Sequence, residues 1–367
     1  METQASYEIL YKWEPLITEK GSLIFISTEK KHIEIKNPDE VIIKLISFIK
    51  WERRSFRDIT HFLKDSDLAI SDDKLKALLS DLVRSGLVSQ SLTSESKEKE
   101  YKTLNRYENF IQWMSITFLK DPIDVLETFS KIQDSKICII GLGGFGSILA
   151  VTLAASGVRN FTLIDGDSVE ESNLNRQFFY TQADVGSTKV HSLQRYLGNL
   201  NPETEITAIA EYLISESSIT KAINGHDLVV LAADAPRLLI ENWVDVACKG
   251  RQIPYLMAHA GVLGPLYVPK NPGCYKCFQN YYIEDFGLET YAQIVVALST
   301  ATQWKYPSFA SGPLIMSGIA LREIIVLLGN FSRPELQGKI MEIDTYSTAI
   351  RDLIPCDTCS EIVIKVK

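Results

Sequence analysis

The first part of the chain alternates short extended stretches with amphipathic helical ones. Three stretches have the apolar and aromatic content and the polar borders of strands, namely "SYEILYKW", "SLIFIS" and "KHIEIK", and the polar "TEK" joins the last two in hairpin fashion. Helical spacing of apolar residues then predicts a helix from Pro38, followed by helices over "FRDITHFLK" and "SDDKLKALLSDLVRSG". Asn37 and Glu40 have the spacing of a capping box at the first helix. With the strand "LVSQSL" behind them, these elements predict a small winged-helix-like α+β domain over residues 1–92.

A polar stretch separates this domain from a second pattern. "TSESKEKEYK" carries almost no apolar surface, and we predict a linker over residues 93–105. Beyond Ser135 strands alternate with helices, and the predicted strands are "KICIIG", "NFTLID", "TEITAI", "DLVVLAAD" and "IPYLMA". Helices are predicted from Gly144, near 187–199, near 236–249 and at 308–329, and the chain ends in the extended "EIVIKV". Residues 106–367 are therefore predicted to form an α/β domain with a Rossmann-like, doubly wound sheet.

Length and charge narrow the class of protein. A chain of 367 residues is long enough for two cores, since single domains rarely grow beyond roughly 250 residues. The net charge of -8 does not suit nucleic acid as a partner, and residues 1–92 hold 14 basic against 15 acidic side chains. No apolar run approaches the roughly 20 residues of a membrane span, and the N-terminus lacks the features of a secretory signal. We therefore expect a cytoplasmic protein that binds neither nucleic acid nor membranes.

A glycine-rich turn between a predicted strand and a predicted helix indicates nucleotide binding. The stretch "GLGGFG" allows a tight turn and a close approach of backbone to phosphate, and the helix behind it offers free N–H groups to an anion. The glycines concerned are Gly141, Gly143, Gly144 and Gly146. Asp165 ends the next strand, where a carboxylate accepts hydrogen bonds from ribose hydroxyls. This pattern alone leaves NAD, FAD and ATP open.

Charged residues after the glycine turn favour a triphosphate over a nicotinamide. Arg176 stands in "DGDSVEESNLNRQ", and Lys189 follows in "DVGSTKV". Phosphoryl and nucleotidyl transfer need such cations beside the phosphates, whereas a dehydrogenase does not use the pair. Asp234 ends the strand "DLVVLAAD", where open α/β sheets place ligands, and a carboxylate there can hold Mg²⁺ or orient the reacting groups.

These motifs resemble those of a known family. Segments 137–190 and 228–280 resemble the ThiF/MoeB family of E1-like adenylating enzymes, which activate a C-terminal carboxyl group with ATP and Mg²⁺. The resemblance implies that Gly144 lines the phosphate loop, that Asp165 holds the ribose and that Asp234 holds the metal. It assigns phosphate contacts to Asn173, Arg176 and Lys189, a positioning role to Gln177, and nucleotide binding to the motif that contains Asp167.

One departure from the family pattern concerns an arginine supplied by a second subunit. The family commonly has "R-Y-x-R-Q" before the first strand, and its second arginine reaches the neighbouring subunit's ATP site. The matching stretch here is "NRYENFIQW", which keeps Arg106 and Tyr107 but lacks that arginine. The resemblance implies a homodimer, while the arginine supplied in trans stays an open question.

Two cysteine pairs predict a structural metal site. "GCYKC" contains Cys274 and Cys277, and "PCDTC" contains Cys356 and Cys359. Two such pairs are typical of a four-thiolate Zn²⁺ site, which has no open position for water or substrate. We expect Cys138 and Cys248 to be packing thiols. The lack of a cysteine between 278 and 355 argues against the thioester or persulfide that some relatives form.

The N-terminal domain narrows the expected substrate. Its layout resembles the peptide-recognition domains (RRE, PqqD-like) that precede modifying domains, and the whole chain resembles the MccB and pantocin branches of the family. The resemblance implies a ribosomally made precursor peptide whose carboxyl or carboxamide group is activated as an AMP adduct. Other interpretations are adenylation of a sulfur-carrier protein ending in Gly-Gly, a winged-helix NAD-sensing transcription factor and an NAD oxidoreductase. An oligomerisation appendage is the alternative for residues 1–92.

Overall fold

The computed structural model describes most of the chain as two compact units, residues 1–127 and 128–367. The described residues are 5–9, 13–18, 21–27, 32–50, 52–68, 70–92, 105–118, 122–259, 261–300, 308–344 and 347–359. Positions 93–104 of the predicted linker and the terminal "EIVIKV" lie outside them. The predicted division at residues 92 and 105 stays a prediction.

The first unit contains two small antiparallel sheets and a group of helices. Its strands are β1 (Ala5–Ile9), β2 (Trp13–Ile17), β3 (Leu23–Ser27), β4 (His32–Ile35), β5 (Arg54–Ser55) and β6 (Val88–Leu92). Its first helices are α1 (Glu40–Ile49), α2 (Phe56–Asp65) and α3 (Asp72–Arg84). The sheets have the strand orders β5-β1-β6 and β2-β3-β4, so the predicted antiparallel pairing of β3 with β4 is confirmed. Apolar side chains from both sheets and all three helices share one core.

The first helix starts later than the sequence suggested. Helix α1 begins at Glu40, and the carboxylate of Asp39 accepts a hydrogen bond of 2.8 Å from the N–H of Ile42. Asn37 has a φ of 50°, in the left-handed region, whereas an N-cap residue adopts an extended conformation. The capping box predicted for Asn37 and Glu40 is therefore wrong, and Asp39 is the cap.

Two helices that were not predicted from the sequence precede β7 (Lys136–Ile140). Helix α4 (Glu108–Phe118) buries Ile111 and Met114, and helix α5 (Pro122–Asp134) buries apolar residues at helical spacing, namely Val125, Phe129 and Ile132. This spacing was the available sequence signal.

The second unit is built on an eight-stranded sheet. Its strands are β7 (Lys136–Ile140), β8 (Asn160–Ile164), β9 (Glu205–Ile209), β10 (Leu228–Leu231), β11 (Tyr255–His259), β12 (Val262–Tyr267), β13 (Lys339–Ile343) and β14 (Thr348–Asp352), in the order β14-β13-β12-β11-β10-β7-β8-β9. The five strands from β11 to β9 in this order are parallel, which confirms the predicted α/β sheet. Strands β12 to β14 extend the sheet through antiparallel pairs, and they were not predicted from the sequence.

Seven helices complete the described part of this unit. They are α6 (Gly144–Ala155), α7 (Lys189–Leu200), α8 (Glu216–Ala222), α9 (Leu239–Arg251), α10 (Tyr275–Phe286), α11 (Leu288–Thr300) and α12 (Ser311–Leu328). Helix α6 buries nine of its 12 residues because it is covered on several sides. One of its neighbours is α12, where the hydroxyl of Ser317 donates to the carbonyl of Phe145 at 3.1 Å.

Helix α12 is strongly apolar. Among the described residues, it is long and apolar enough to cross a membrane, with a mean hydropathy of 1.6. Its two buried polar side chains both bond to the backbone of the same unit, since Glu323 accepts from the N–H of Leu336 at 2.8 Å and Ser317 bonds to α6. This arrangement is typical of a helix that packs in a protein core.

Candidate nucleotide site and metal centre

The glycine turn after β7 packs tightly against the segment that follows β10. Gly141 has a φ of 96°, and a Cβ atom built there would lie 2.5 Å from the amide nitrogen of Ala233. A Cβ on Gly146 would lie 2.0 Å from the carbonyl oxygen of Gly141. Larger residues therefore do not fit at either position without movement of the backbone. This packing places Asp234, the next residue after Ala233, beside the glycine turn.

The start of α6 is the part of the candidate site that is suited to an anion. Gly143 caps this helix without a side-chain hydrogen bond, which leaves the first N–H groups free for a ligand. A Cβ on Gly143 would lie 3.8 Å from Nε2 of Gln177, and a Cβ on Gly144 would lie 3.0 Å from Cγ of Pro313. The turn is thus bordered by the loop that contains Gln177 and by α12.

Asp165 and Asp167 organise the end of β8. The carboxylate of Asp165 accepts hydrogen bonds from the N–H groups of Leu142 at 2.6 Å and Asp167 at 2.8 Å. Burial raises the pKa of Asp165. Each oxygen retains acceptor capacity, which a ribose hydroxyl can use. Asp165 therefore links the glycine turn to the place where the sequence pattern puts the ribose.

Lys189 is held close to this site by Asp167. Its Nζ lies 2.7 Å from Oδ2 of Asp167, and the lysine side chain is buried. Burial opposes ionisation of Asp167, but hydrogen bonds from Lys189 and Tyr212 lower its pKa. The pair therefore places a fixed cation near the glycine turn.

Tyr212 is a part of the site that the sequence did not reveal. Its hydroxyl donates to Oδ1 of Asp167 at 2.6 Å, and its ring covers Gly166, where a Cβ would lie 2.6 Å from the ring. The residue is 66% exposed, so the ring forms an open wall at the end of β8. Tyr212 follows β9 and belongs to no motif, and only its position in the fold identifies it.

The loop between Glu170 and Gln177 presents polar groups to the glycine turn. Asn173 is buried, and its Oδ1 accepts from the N–H of Glu170 at 3.1 Å. Arg176 is half-buried and donates to the carbonyl of Ser172 and to Oδ1 of Asn175, both at 2.9 Å. Gln177 is buried, and its Oε1 has no partner among the described residues. The structure thus brings Gln177 to the turn and holds Arg176 in its own loop.

The candidate catalytic residues share one edge of the sheet. The side chain of Asp234 is 80% exposed and lies 3.8 Å from the guanidinium of Arg237. Strands β7, β8 and β10 are adjacent and parallel, so the segments after them meet at their carboxyl ends. Asp165, Asp167, Asp234 and the glycine turn all follow these strands, and Lys189 reaches the same place through Asp167. The roles predicted for these residues are proposals.

The four predicted metal ligands form a compact cluster. Their Sγ atoms lie within 4.8 Å of one another, and all four side chains are buried. The Sγ of Cys274 lies 3.7 Å from Cys277, 3.7 Å from Cys356 and 3.9 Å from Cys359. A tetrahedral Zn²⁺ site with Zn–S bonds of about 2.3 Å requires S–S separations of about 3.8 Å. The cluster therefore fits zinc. Cys138 and Cys248 are also buried and unbridged, as expected.

A buried polar network surrounds the cysteine cluster. Asp245 accepts from Nζ of Lys249 at 2.7 Å and from the hydroxyl of Tyr255 at 2.5 Å. Burial favours the neutral amine, but hydrogen bonds to Asp245 and Cys274 raise the pKa of Lys249. The cation thus offsets part of the negative charge that four thiolates carry.

Comparison with known proteins identifies the family. Residues 121–359 match the ThiF family model. The chain belongs to the ThiF family. It is similar to the molybdopterin-synthase adenylyltransferase of Escherichia coli (strain K12), with 26% identity over 239 residues that cover 63% of this chain and 89% of that protein. It also matches the sulfur carrier protein ThiS adenylyltransferase of the same organism, with 35% identity over 156 residues, which are 41% of this chain and 61% of that protein.

Solved structures share the fold of nearly the whole chain. E. coli MccB with ATP superposes with a TM-score of 0.70 at 23% identity, and covers 97% of this chain and 99% of its own. The microcin C7 biosynthetic enzyme MccB in complex with N-formylated MccA gives 0.72 at 24% identity, and covers 96% and 99%. PaaA gives 0.69 at 19% identity, and covers 94% and 99%.

The family and fold confirm the central predictions. This ThiF-family protein is an ATP-dependent adenylyltransferase with an E1-like α/β fold, as the motifs had indicated. That conclusion removes the NAD-dependent alternatives. The assignment of residues 1–92 to peptide recognition stays a prediction.

Proposed function

We propose that this adenylyltransferase binds a ribosomally made precursor peptide and activates a carboxyl or carboxamide group of it as an AMP adduct. The observation that supports this most is the extent of the structural likeness. The MccB structures cover 96–97% of the chain, including the first unit, whereas the match to the molybdopterin-synthase enzyme covers 63%. One of those MccB structures contains the peptide MccA. We also propose that the enzyme is a cytoplasmic homodimer.

The sheet of β2, β3 and β4 offers an edge for the peptide. Edge strand β2 contains Pro15, which lacks an N–H group and cannot donate to an added strand. The other edge, β4, contains no proline, and its His32 and Glu34 side chains are exposed. No described strand pairs with the outer side of β4. We propose that the peptide adds to β4 as a further strand, through backbone hydrogen bonds.

The proposed chemistry uses the groups at the carboxyl edge of the large sheet. Asp165 binds the ribose, and the glycine turn binds the phosphates through backbone N–H groups. Lys189 and Arg176 neutralise charge that builds on the phosphates as the substrate oxygen attacks the α-phosphorus and pyrophosphate leaves. Asp234 would hold Mg²⁺, which supplies further charge neutralisation on the triphosphate. The cysteine cluster would hold Zn²⁺ and tie the start of α10 to the segment after β14.

Adenylation of a sulfur-carrier protein is the second candidate. The named adenylyltransferase relatives favour it, since one is 35% identical over 156 residues. It accounts for the nucleotide site equally well, because the activated group is again a carboxylate. Adenylation of a carrier protein does not assign a role to the free sheet edge at β4.

Selection of binding peptides distinguishes the two candidates. A display library of short random peptides is selected on the immobilised full-length protein, and enriched sequences are synthesised for ATP–pyrophosphate exchange assays. A purified sulfur-carrier protein ending in Gly-Gly is tested in parallel. We expect exchange with the enriched peptides, and a loss of about 10²-fold in Arg176→Ala and Asp234→Ala. Exchange with the carrier protein alone would overturn the peptide proposal.

Deletion of the N-terminal domain tests where the peptide binds. Removal of residues 1–92 should weaken peptide binding and leave ATP binding intact, and the retained ATP affinity shows that the second unit is folded. Calorimetry that finds full peptide affinity in this variant would contradict a role for β4.

A further inference from the structure

An acid and an imidazole lie together outside the nucleotide site. Glu241 stands in the first turn of α9 and is 5% exposed, and His259 is the last residue of β11. The Nδ1 atom of His259 lies 3.7 Å from Oε1 of Glu241. The imidazole stacks on the ring of Phe278, with centroids 5.1 Å apart and an angle of 15° between the planes. The ring is thus held with one nitrogen towards the carboxylate.

The other nitrogen of this imidazole has no partner among the described residues. Nε2 of His259 and Oε2 of Glu241 are buried polar atoms without a hydrogen bond in the described part of the chain. Buried polar groups in folded proteins are almost always paired, so an unpaired group calls for a cause, and a catalytic role is one such cause. An acid 3.7 Å from Nδ1 and an unpaired Nε2 correspond to a general base that is oriented by an acid, with the acid slightly beyond hydrogen-bond distance in this unliganded structure.

The pair lies beside the candidate catalytic edge. Strand β11 is parallel to β10, so His259 ends its strand next to the segment that contains Asp234. The glycine turn and Asp165 follow β7 and β8, on the other side of β10. A nucleotide over β7 and β8 therefore leaves the space above β11 for the second reactant. The side chain of His259 is 22% exposed, although its Nε2 atom is buried in the absence of substrate.

The charged surroundings set the protonation states of the pair. Asp234 and Arg237 face it from the loop after β10, Tyr275 from α10 and Tyr291 from α11. Burial, reinforced by Arg237, lowers the pKa of His259 to about 4, so Nε2 or Nδ1 carries a free lone pair at neutral pH. Burial raises the pKa of Glu241 to about 7, although hydrogen bonds from the N–H groups of Glu241 and Leu238 act to lower it.

We propose that His259 accepts the proton of the nucleophile that displaces AMP from the activated substrate, and that Glu241 positions its imidazole. The identity of this nucleophile, an N–H group of the same peptide, rests on the proposed function. A bond forms between the nitrogen and the acyl carbon, and the bond from that carbon to the AMP oxygen breaks. AMP leaves with the electron pair, and the proton of the nitrogen passes to Nε2. Glu241, when ionised, stabilises the imidazolium that results.

Separate assays of the two half-reactions test this assignment. The substrate is an enriched peptide from the selection above. Hydroxylamine, a nucleophile strong enough to need no base, traps the acyl adenylate and reports its formation. Release of AMP without hydroxylamine reports capture by the substrate itself. We expect His259→Ala to form adenylate normally and to release AMP about 10²-fold more slowly.

Chemical rescue distinguishes a base from a structural residue. Added imidazole should restore AMP release in His259→Ala. His226→Ala is the matched control, because His226 is a half-buried histidine at the amino end of β10 whose Nε2 lies 2.8 Å from Oγ1 of Thr162. We expect no slowing of AMP release, and no response to imidazole, in this control. A His259→Ala enzyme that releases AMP at the normal rate, or that imidazole does not restore, would overturn the proposal.

The pH dependence tests Glu241 as the positioning residue. AMP release by the native enzyme should rise as pH increases through about 7, because ionised Glu241 is needed, and Glu241→Gln should lose this rise while it still forms adenylate. An unchanged pH profile in Glu241→Gln would reject its role. If no peptide supports adenylate formation, the proposed function fails, and the same variants are assayed with the Gly-Gly carrier protein and an added primary amine. Normal capture by His259→Ala in that assay would reject the base assignment independently.

Discussion

The buried carboxyl of Glu241 should make the stability of the protein depend on pH in a defined window. Burial raises the pKa of Glu241 from 4.5 to about 7, so the folded chain binds this proton more tightly than the unfolded chain. The free energy of unfolding therefore falls as pH rises from about 4.5 to about 7. The size of the shift corresponds to about 3 kcal/mol.

Glu241→Gln removes the ionisation and keeps the shape of the neutral acid. We expect the variant to match the native protein at pH 5 and to gain about 3 kcal/mol relative to it at pH 8. His259 acts in the opposite direction, because its pKa is lowered to about 4 and its contribution to stability is lost as pH falls from about 6.5. That contribution remains in the variant, so the difference between the two proteins isolates Glu241 to first order.

Denaturant unfolding of the full chain at several pH values measures this difference. Glu216→Gln is the matched control, because Glu216 stands in the first turn of α8 but is exposed. Its substitution should leave the pH dependence unchanged. A Glu241→Gln protein whose stability relative to the native chain is the same at pH 5 and pH 8 would refute the argument from burial.

Two further predictions concern Tyr212 and the cysteine cluster. Tyr212→Ala should weaken ATP binding by about tenfold, because it removes the ring over Gly166. Tyr212→Phe keeps the ring and removes only the hydroxyl that bonds to Asp167, so it should lose less ATP affinity. Calorimetry with ATP measures both variants, and equal losses of affinity would contradict a contact through the ring. Lys249→Met should release zinc to a coloured chelator at least tenfold faster, because the amine bonds to Asp245 and Cys274. The exposed Lys276 is the control, and equal release rates in Lys249→Met and Lys276→Met would reject the role of Lys249.

Much of the second unit was predictable because its signals are local. Strands β7 and β10 are continuous apolar runs, which is the pattern of a parallel strand covered on both faces, and Gly141 follows the first of them at the turn. The spacing of the two cysteine pairs likewise identified the cluster. The start of α1 was misplaced, because the conformation of Asn37 depends on its neighbours and not on the capping pattern.

Other features needed the folded chain. Strands β12 to β14 were missed because their place in the sheet is set by pairing with one another and with β11. No spacing along the chain relates Tyr212 to Asp167, which lie 45 positions apart, or Glu241 to His259. The hydrogen bond from Tyr212 to Asp167, and the approach of His259 to the buried Glu241, arise only when β9 and β11 take their places beside β8 and β10.

The amino-acid sequence by itself thus determined the parallel sheet, the glycine turn, the four-cysteine cluster and the membership of an adenylating family. These depend on periodicity, turn conformation and ligand spacing, which neighbouring residues encode. The tertiary structure decided which side chains from separate strands meet, and how burial changes their pKa values. Those properties depend on packing between distant segments, so they are absent from any local pattern.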